Sequence, residues 1–302
     1  MSEKVTPTIN HTVMVTDPAH YGVIELNKYS DANDQPDRDR AWLEHESFKM
    51  ALEDAGITVK QVPSREGCQD AIYAANGGLC DDDLVITSNL PGPRRAEQDY
   101  WLDMFRSDLL LGEDKKTRVI QPPEEYRFSG QGDALICDDV LFVGSGYRNS
   151  PEMTPFLRSV FHDKYDVVGV HTVPMRDENG DIVRNQLSGW EDSEFYDIDL
   201  AIGVVAARKI IWCPEAFDQE SREKIEDLDF EKIEISRDEA TDTFVCNGVG
   251  NGVDKYIVGK PAPDHVVKRL KKWGVEVVSL TIPELQKGGG STRCMANTIR
   301  MR

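Results

Sequence analysis

Five stretches of the chain, spaced about 45 to 65 residues apart, carry the apolar pattern of a helix, and short β-like runs flank each one. The helical stretches are "AWLEHESFKMALEDA" (41–55), stopped by Gly56, and "RAEQDYWLDMFR" (95–106). The third is "PFLRSVFH", opening at Pro155 with Thr154 as its cap. The fourth is "QESREKIEDL" after Asp218, and the last is "PDHVVKRLKKW" (263–273), stopped by Gly274. Between them lie "HTVMVT", "DLVITS", "VLFVGSG", "YDVVGVHTV", "LAIGVVAARKIIWC", "DTFVCNGV", "KYIVGK" and "VEVVSLT", all read as strands. This is an α/β chain with a weak five-fold repeat of strands plus one helix. No Ser/Gly-rich or Pro-rich linker divides it, so residues 1–302 are expected to form a single domain.

Charge and composition narrow the function. A net charge of −19 would repel a nucleic-acid duplex, and it suits a cationic small molecule as partner. No stretch approaches the length of apolar residues that spans a bilayer, and "MSEKVTPTIN" has no apolar core of a signal peptide, so a cytoplasmic protein is expected. The six cysteines (68, 80, 137, 213, 246 and 294) include no C-x-x-C pair, and most sit in apolar runs as inert filling. "GQGDAL" and "GSGYRN" lack the third glycine of a dinucleotide fingerprint, and no phosphate loop or H-E-x-x-H occurs. No metal or organic cofactor is implied.

Cys294 stands apart. It follows "GGGSTR", and three glycines in a row are costly unless the backbone must make a turn or approach something closely. The residues after it, Met295, Asn297, Ile299 and Met301, alternate as on a strand. In "FYDIDLA", Asp197 and Asp199 are two apart, which on a strand puts both carboxylates on one face. Such a pair repels, raises the affinity of one member for a proton, and accepts a guanidinium in bidentate fashion. A thiolate beside a cation held this way is placed to attack the guanidinium carbon. Arg293 adjoins the thiol but is free to point away along a strand. His11, His20, His45, His162, His171 and His265 are scattered, and Asp133 and Asn247 read as turn residues.

These stretches carry a resemblance. "FSGQGDALICDDVLFVGSGYR", "FYDIDLA", "CNGVGNGV" and "GGGSTRCM", with "DPAHYGVIELNKYSD", "RDRAW" and "QDAIYAANGGL" before them, are together similar to the guanidine-modifying pentein superfamily. That group holds arginine deiminases, dimethylarginine dimethylaminohydrolases, amidinotransferases and arginine dihydrolases. The resemblance implies an α/β-propeller of five ββαβ-type units. It implies Cys294 as nucleophile, Asp199 as a guanidinium ligand, and substrate contacts from Asn27, Asp70, Asn76 and Arg148, with Arg148 holding a carboxylate. Two positions depart from the pattern. Asp197 stands where the family has its acid–base histidine, and Ser129 where it has a guanidinium-binding glutamate. The expectation is a hydrolase of C–N bonds in arginine or a related guanidine or amidine, with Asp197 both holding substrate and relaying protons. Amidino transfer and a catalytically silent binding module stay open as alternatives, as does a homo-oligomer.

Overall fold

The computed structural model describes residues 10–81, 83–90, 92–107 and 117–299. Its fold is mixed α/β, with strands gathered into five separate three-stranded sheets. The chain enters as β1 (Thr12–Thr16), runs through α1 (Arg38–Asp54) and returns as β2 (Thr58–Val62), parallel to β1. Asp37 starts α1 by accepting the Arg40 amide at 2.9 Å, and Gly56, at φ +75°, turns the chain out of it.

The next four sheets share one course: a hairpin, a helix, then a strand parallel to the second hairpin strand. The second sheet is β3 (Gly78–Asp81), β4 (Leu84–Thr87), α2 (Arg95–Arg106) and β5 (Arg118–Ile120). The third is β6 (Ala134–Cys137), β7 (Val140–Ser145), α3 (Met153–Phe161) and β8 (Asp166–His171). The fourth is β9 (Ile202–Ala206), β10 (Lys209–Trp212), α4 (Gln219–Glu226) and β11 (Glu231–Glu234). After a short helix α5 (Arg237–Thr243), the fifth is β12 (Val249–Gly250), β13 (Lys255–Val258), α6 (Asp264–Lys272) and β14 (Glu276–Ser279). Finally β15 (Asn297–Ile299) pairs antiparallel with β1, so the first sheet takes its third strand from the far end of the sequence.

The hairpin strands are the apolar ones, "LVIT", "ALIC", "VLFV" and "KIIW", and they are buried on both faces, as strands covered by helices should be. Their side chains fill the core with Phe142, Trp212, Trp101 and Phe217, all fully buried. Among the described residues no helix is long and apolar enough to cross a membrane.

Several expectations need correction. Helix α3 begins at Met153, with Glu152 rather than Thr154 at the cap, because a turn in which the Met153 amide reaches Ser150 O leads directly into it. Pro155 still fits, since first-turn amides need no helical partner. "DTFVCNGV" is not a strand: α5 runs to Thr243, Phe244 closes it in the left-handed region (φ +53°), and the Ser236–Glu239 capping box that starts it went unread. "FYDIDLA" is a bend followed by a short 3₁₀ turn over Ile198–Leu200. Behind Cys294 only Asn297–Ile299 is strand, and its burial does not alternate, since Ala296 and Thr298 are as buried as Asn297; Met301 lies outside the described residues.

Candidate active site

The turn between the glycine run and β15 presents Cys294, and the side chain of Asn247 shapes that turn. Asn247 Oδ1 accepts the Ser291 amide at 3.0 Å and the Cys294 amide at 3.2 Å, while its Nδ2 donates to Cys294 Sγ at 3.1 Å. Thr292 and Arg293 donate to the Asn247 carbonyl from the other side. The sequence marks Asn247 only as a turn residue, and its glycine-rich surroundings are the one signal there that backbone crowds it.

The glycines are explained by protein, not by open space. A Cβ on Gly288 would lie 2.6 Å from the Tyr73 hydroxyl, and one on Gly290 would lie 2.6 Å from the same ring. Gly289 has φ +93° and abuts the Asn27 amide. Asn27 donates to Gly288 O at 3.0 Å, and Tyr196 OH to Gly289 O at 2.7 Å.

Asp197 and Asp199 are both fully buried, and their surroundings differ. Asp197 Oδ2 accepts from Asn76 Nδ2 at 3.0 Å and from Arg148 Nη1 at 3.3 Å; its Oδ1 accepts the Ser129 hydroxyl at 2.8 Å. Asp199 Oδ2 accepts the Cys294 thiol at 3.3 Å, and its Oδ1 has no partner at all. Burial first, then the charge of Asp197, push the Asp199 carboxyl up to about 8. Burial and both carboxylates also drive the Cys294 thiol well above its ordinary value, against the opposing hydrogen bonds of Ser291 and Asn247. This setting favours the protonated thiol of Cys294.

Around this pair lie the other expected residues. The Arg148 guanidinium stacks 4.2 Å over the Tyr196 ring, and its Nε is buried with no acceptor. Asn76 Oδ1 accepts from Arg94 at 3.0 Å, and Arg94 is held by Asp70 at 3.3 Å and by Glu97 at 2.6 Å. Thus Asn76, Ser129 and Arg148 meet at Asp197, and Cys294 meets Asp199, two residues further along the chain. Asn27 joins through the glycine backbone, and Asp70 through Arg94, a fully buried arginine that sequence reading missed. Arg293 does point away, to Gln131 Oε1 at 2.8 Å and Ala296 O at 2.6 Å.

No histidine reaches the site. His171 is exposed at the end of β8 against Ser145, and His20 is exposed, its backbone amide on Ser64. His45 is buried in α1 with its ring lowered to about 4 by burial, so it is neutral near pH 7. The other five cysteines are buried as well.

The comparison with protein families decides the kinship. The model of eukaryotic N,N-dimethylarginine dimethylhydrolase matches residues 23–301. The chain belongs to that family. Within its wider kin, it is 26% identical over 291 residues to the bifunctional arginine dihydrolase/ornithine cyclodeaminase AgrE of Nostoc, covering 94% of this chain but 37% of that protein. The chain therefore spans little more than a third of that relative's length. It is 25% identical over 290 residues to the N(G),N(G)-dimethylarginine dimethylaminohydrolase of Mycobacterium tuberculosis, covering 96% and 85% of the two chains. Its fold superposes on a cysteine-to-alanine variant of AgrE in complex with L-arginine (TM-score 0.80, 25% identity, 97% of this chain and 40% of that one). It also matches the N-terminal domain of ArgZ covalently bound to a reaction intermediate (TM-score 0.81, 22% identity, 96% and 98%). Both curated relatives bear the names of hydrolases, one of arginine and one of dimethylarginine.

Proposed function

We propose that the chain hydrolyses a C–N bond of arginine or a closely related guanidine through a covalent intermediate on Cys294. One observation carries this reading. Asp199 offers one carboxylate oxygen to the Cys294 thiol at 3.3 Å and keeps the other buried and unpartnered. A buried acceptor without a donor is rare, and a guanidinium N–H would satisfy it while setting the guanidinium carbon beside the sulfur. Arg148 Nε is the opposite case, a buried donor lacking an acceptor, which suits the carboxylate at the far end of an amino-acid substrate.

In this reading the substrate's positive charge does what the resting site lacks. It first drives the proton of Asp199 off to solvent, and the ionised carboxylate then takes the thiol proton as the sulfur attacks, with Asn247 Nδ2 steadying the thiolate. The C–S bond forms, and the C–N bond breaks as the leaving nitrogen takes up a proton. Water then adds, and the C–S bond breaks as the thiol is restored. Asp197, held by Arg148, Asn76 and Ser129, keeps negative charge against the cation and takes part in the proton transfers. Asn27, Asp70 and Asn76 shape the substrate's surroundings. The five sheets of like course, joined through β1 and β15, are the five ββαβ units of a single pentein propeller. Six cysteines kept as thiols suit the cytoplasm.

The test is to incubate the purified protein and its C294A variant with arginine, methylated arginines, agmatine and guanidinoacetate, reading products and intact-protein mass together. Ammonia with citrulline or ornithine from the wild type alone is the expected result. Product formation by C294A removes the nucleophile assignment, and neither product nor adduct from the wild type overturns the reading.

A further inference from the structure

The Ser129 hydroxyl stands between two buried carboxylates, 2.8 Å from Asp197 Oδ1 and 3.0 Å from Asp133 Oδ2. A hydroxyl has one proton to donate, and an ionised carboxylate can only accept. Were both aspartates ionised, one of these contacts would set bare oxygens against each other out of reach of water. One of the carboxyls therefore holds a proton.

The surroundings say which. Asp197 takes hydrogen bonds from Arg148 and Asn76 on Oδ2 and has the Ser129 hydroxyl on Oδ1, a setting that favours the ionised form. Among the described residues no hydrogen bond or ion pair ties Asp133 to a cation, and Arg127 acts on it only through its charge at a distance. Its Oδ1 accepts the Ile198 amide at 2.9 Å and is packed against the Gly144 backbone, its Oδ2 meets Ser129, and the charges of Asp197 and Asp199 act on it. Burial and the charge of Asp197 both push the Asp133 carboxyl well above the usual range.

We propose that Asp133 carries a proton at neutral pH and that Ser129 hands it on to Asp197, making the three residues the proton supply of the reaction proposed above, on which this inference rests. The chain Asp133–OH, Ser129–OH, Asp197 carboxylate can shift by one bond at each link. Asp133 protonates Ser129 Oγ as Ser129 releases its own proton to Asp197. Asp197 then gives that proton to the leaving nitrogen, and the carboxylates end as two anions. When water attacks the intermediate, the proton it sheds returns along the same links, so the balance closes without any outside acid. The two departures from the family pattern then explain each other. A glutamate at 129 would bring a third carboxylate against Asp133 and Asp197, whereas a serine is short enough to bridge them and able both to donate and to accept.

Asp133 and Ser129 thus act as positioning and proton-holding residues, and their test must separate this from packing. The measurement compares arginine with its S-methyl isothiourea analogue, whose thiolate leaves without needing a proton. On arginine, D133N and S129A should each lower kcat about 100-fold with KM changed less than about threefold, and the double variant should be no slower than either. On the analogue the loss should be at least tenfold smaller. Equal losses on both substrates, or arginine turnover within threefold of wild type, overturn the proposal. Infrared spectra at pH 7 give a readout independent of turnover: in the D199N background, which removes the second raised carboxyl, the carbonyl stretch of a protonated acid should remain, and it should be lost in D133N/D199N. Its survival in D133N/D199N overturns the proposal even if the wild type proves inactive on both substrates, an outcome that by itself counts only against the hydrolase reading.

Discussion

Asp197 and Asp199 are separated by one residue and meet opposite fates. Three donors surround the first, while the second faces a thiol and a bare void in its hydrogen bonding. Such a split is how one site comes to hold both a fixed anion and a group that exchanges protons near neutrality. It also has a cost in stability with a definite sign. Asp199 in the unfolded chain releases its proton near pH 3.9, and in the folded protein near pH 8. Between those values the folded state binds the extra proton, so the contribution of Asp199 to stability is fully present below about pH 4 and is lost as pH rises through about 8. D199N should therefore flatten the decline in unfolding free energy between pH 5 and pH 8, measured by urea titration of both proteins. Parallel pH profiles would refute the assignment. The spacing of the two aspartates was legible in the sequence, and so was their company with Cys294. Their unequal environments were not, because they depend on Ser129, Arg148 and Asn247, each supplied by a different part of the chain.

At the scale of elements, the glycine run and α5 teach different lessons. The run was legible as a place where the backbone had to come close to something; what it approaches is Tyr73 and Asn27, about 215 and 260 residues upstream. Gly289→Ala would force an L-residue to φ +93° and drive a methyl into the Asn27 amide. It should cost about 2 kcal/mol of stability and lower kcat, since Cys294 hangs from the same turn. Differential scanning calorimetry with a turnover assay checks both; an unshifted melting temperature would mean that the turn can relax. Helix α5 was misread because "TFV" is β-branched and aromatic, a strand signature taken alone. The Ser236–Glu239 box and the left-handed Phe244 override it, and the chain is thereby turned to deliver Asn247 to the thiol.

At the scale of the molecule, β15 joins the two ends of the described chain, and Gln131 fastens it. Gln131 Nε2 donates to Thr298 O at 2.8 Å, its Oε1 accepts the Thr298 amide at 2.8 Å, and the same oxygen takes Arg293. The bonds to Thr298 are buried and the one to Arg293 is half-buried, so Gln131→Ala would strand a backbone amide and a carbonyl and take one partner from the guanidinium. We expect a loss of about 3 kcal/mol, and hydrogen exchange should show β15 and β1 opening before the other sheets. Uniform exchange across all five sheets would argue against a local clasp. The five helical stretches foretold the repeat of strands and helices, but no local pattern in "MANTIRMR" could have told that it pairs with "HTVMVT" nearly 290 residues away.

That pairing bears on how the protein is made. Four of the five sheets are complete within residues translated before Gly288, and the first sheet waits for a strand that comes after all the others in the described chain. Cys294 is delivered with that strand. During synthesis the growing polypeptide thus carries Asp197 and Asp199 before Cys294 exists, and one short stretch of chain supplies both the thiol and the missing strand.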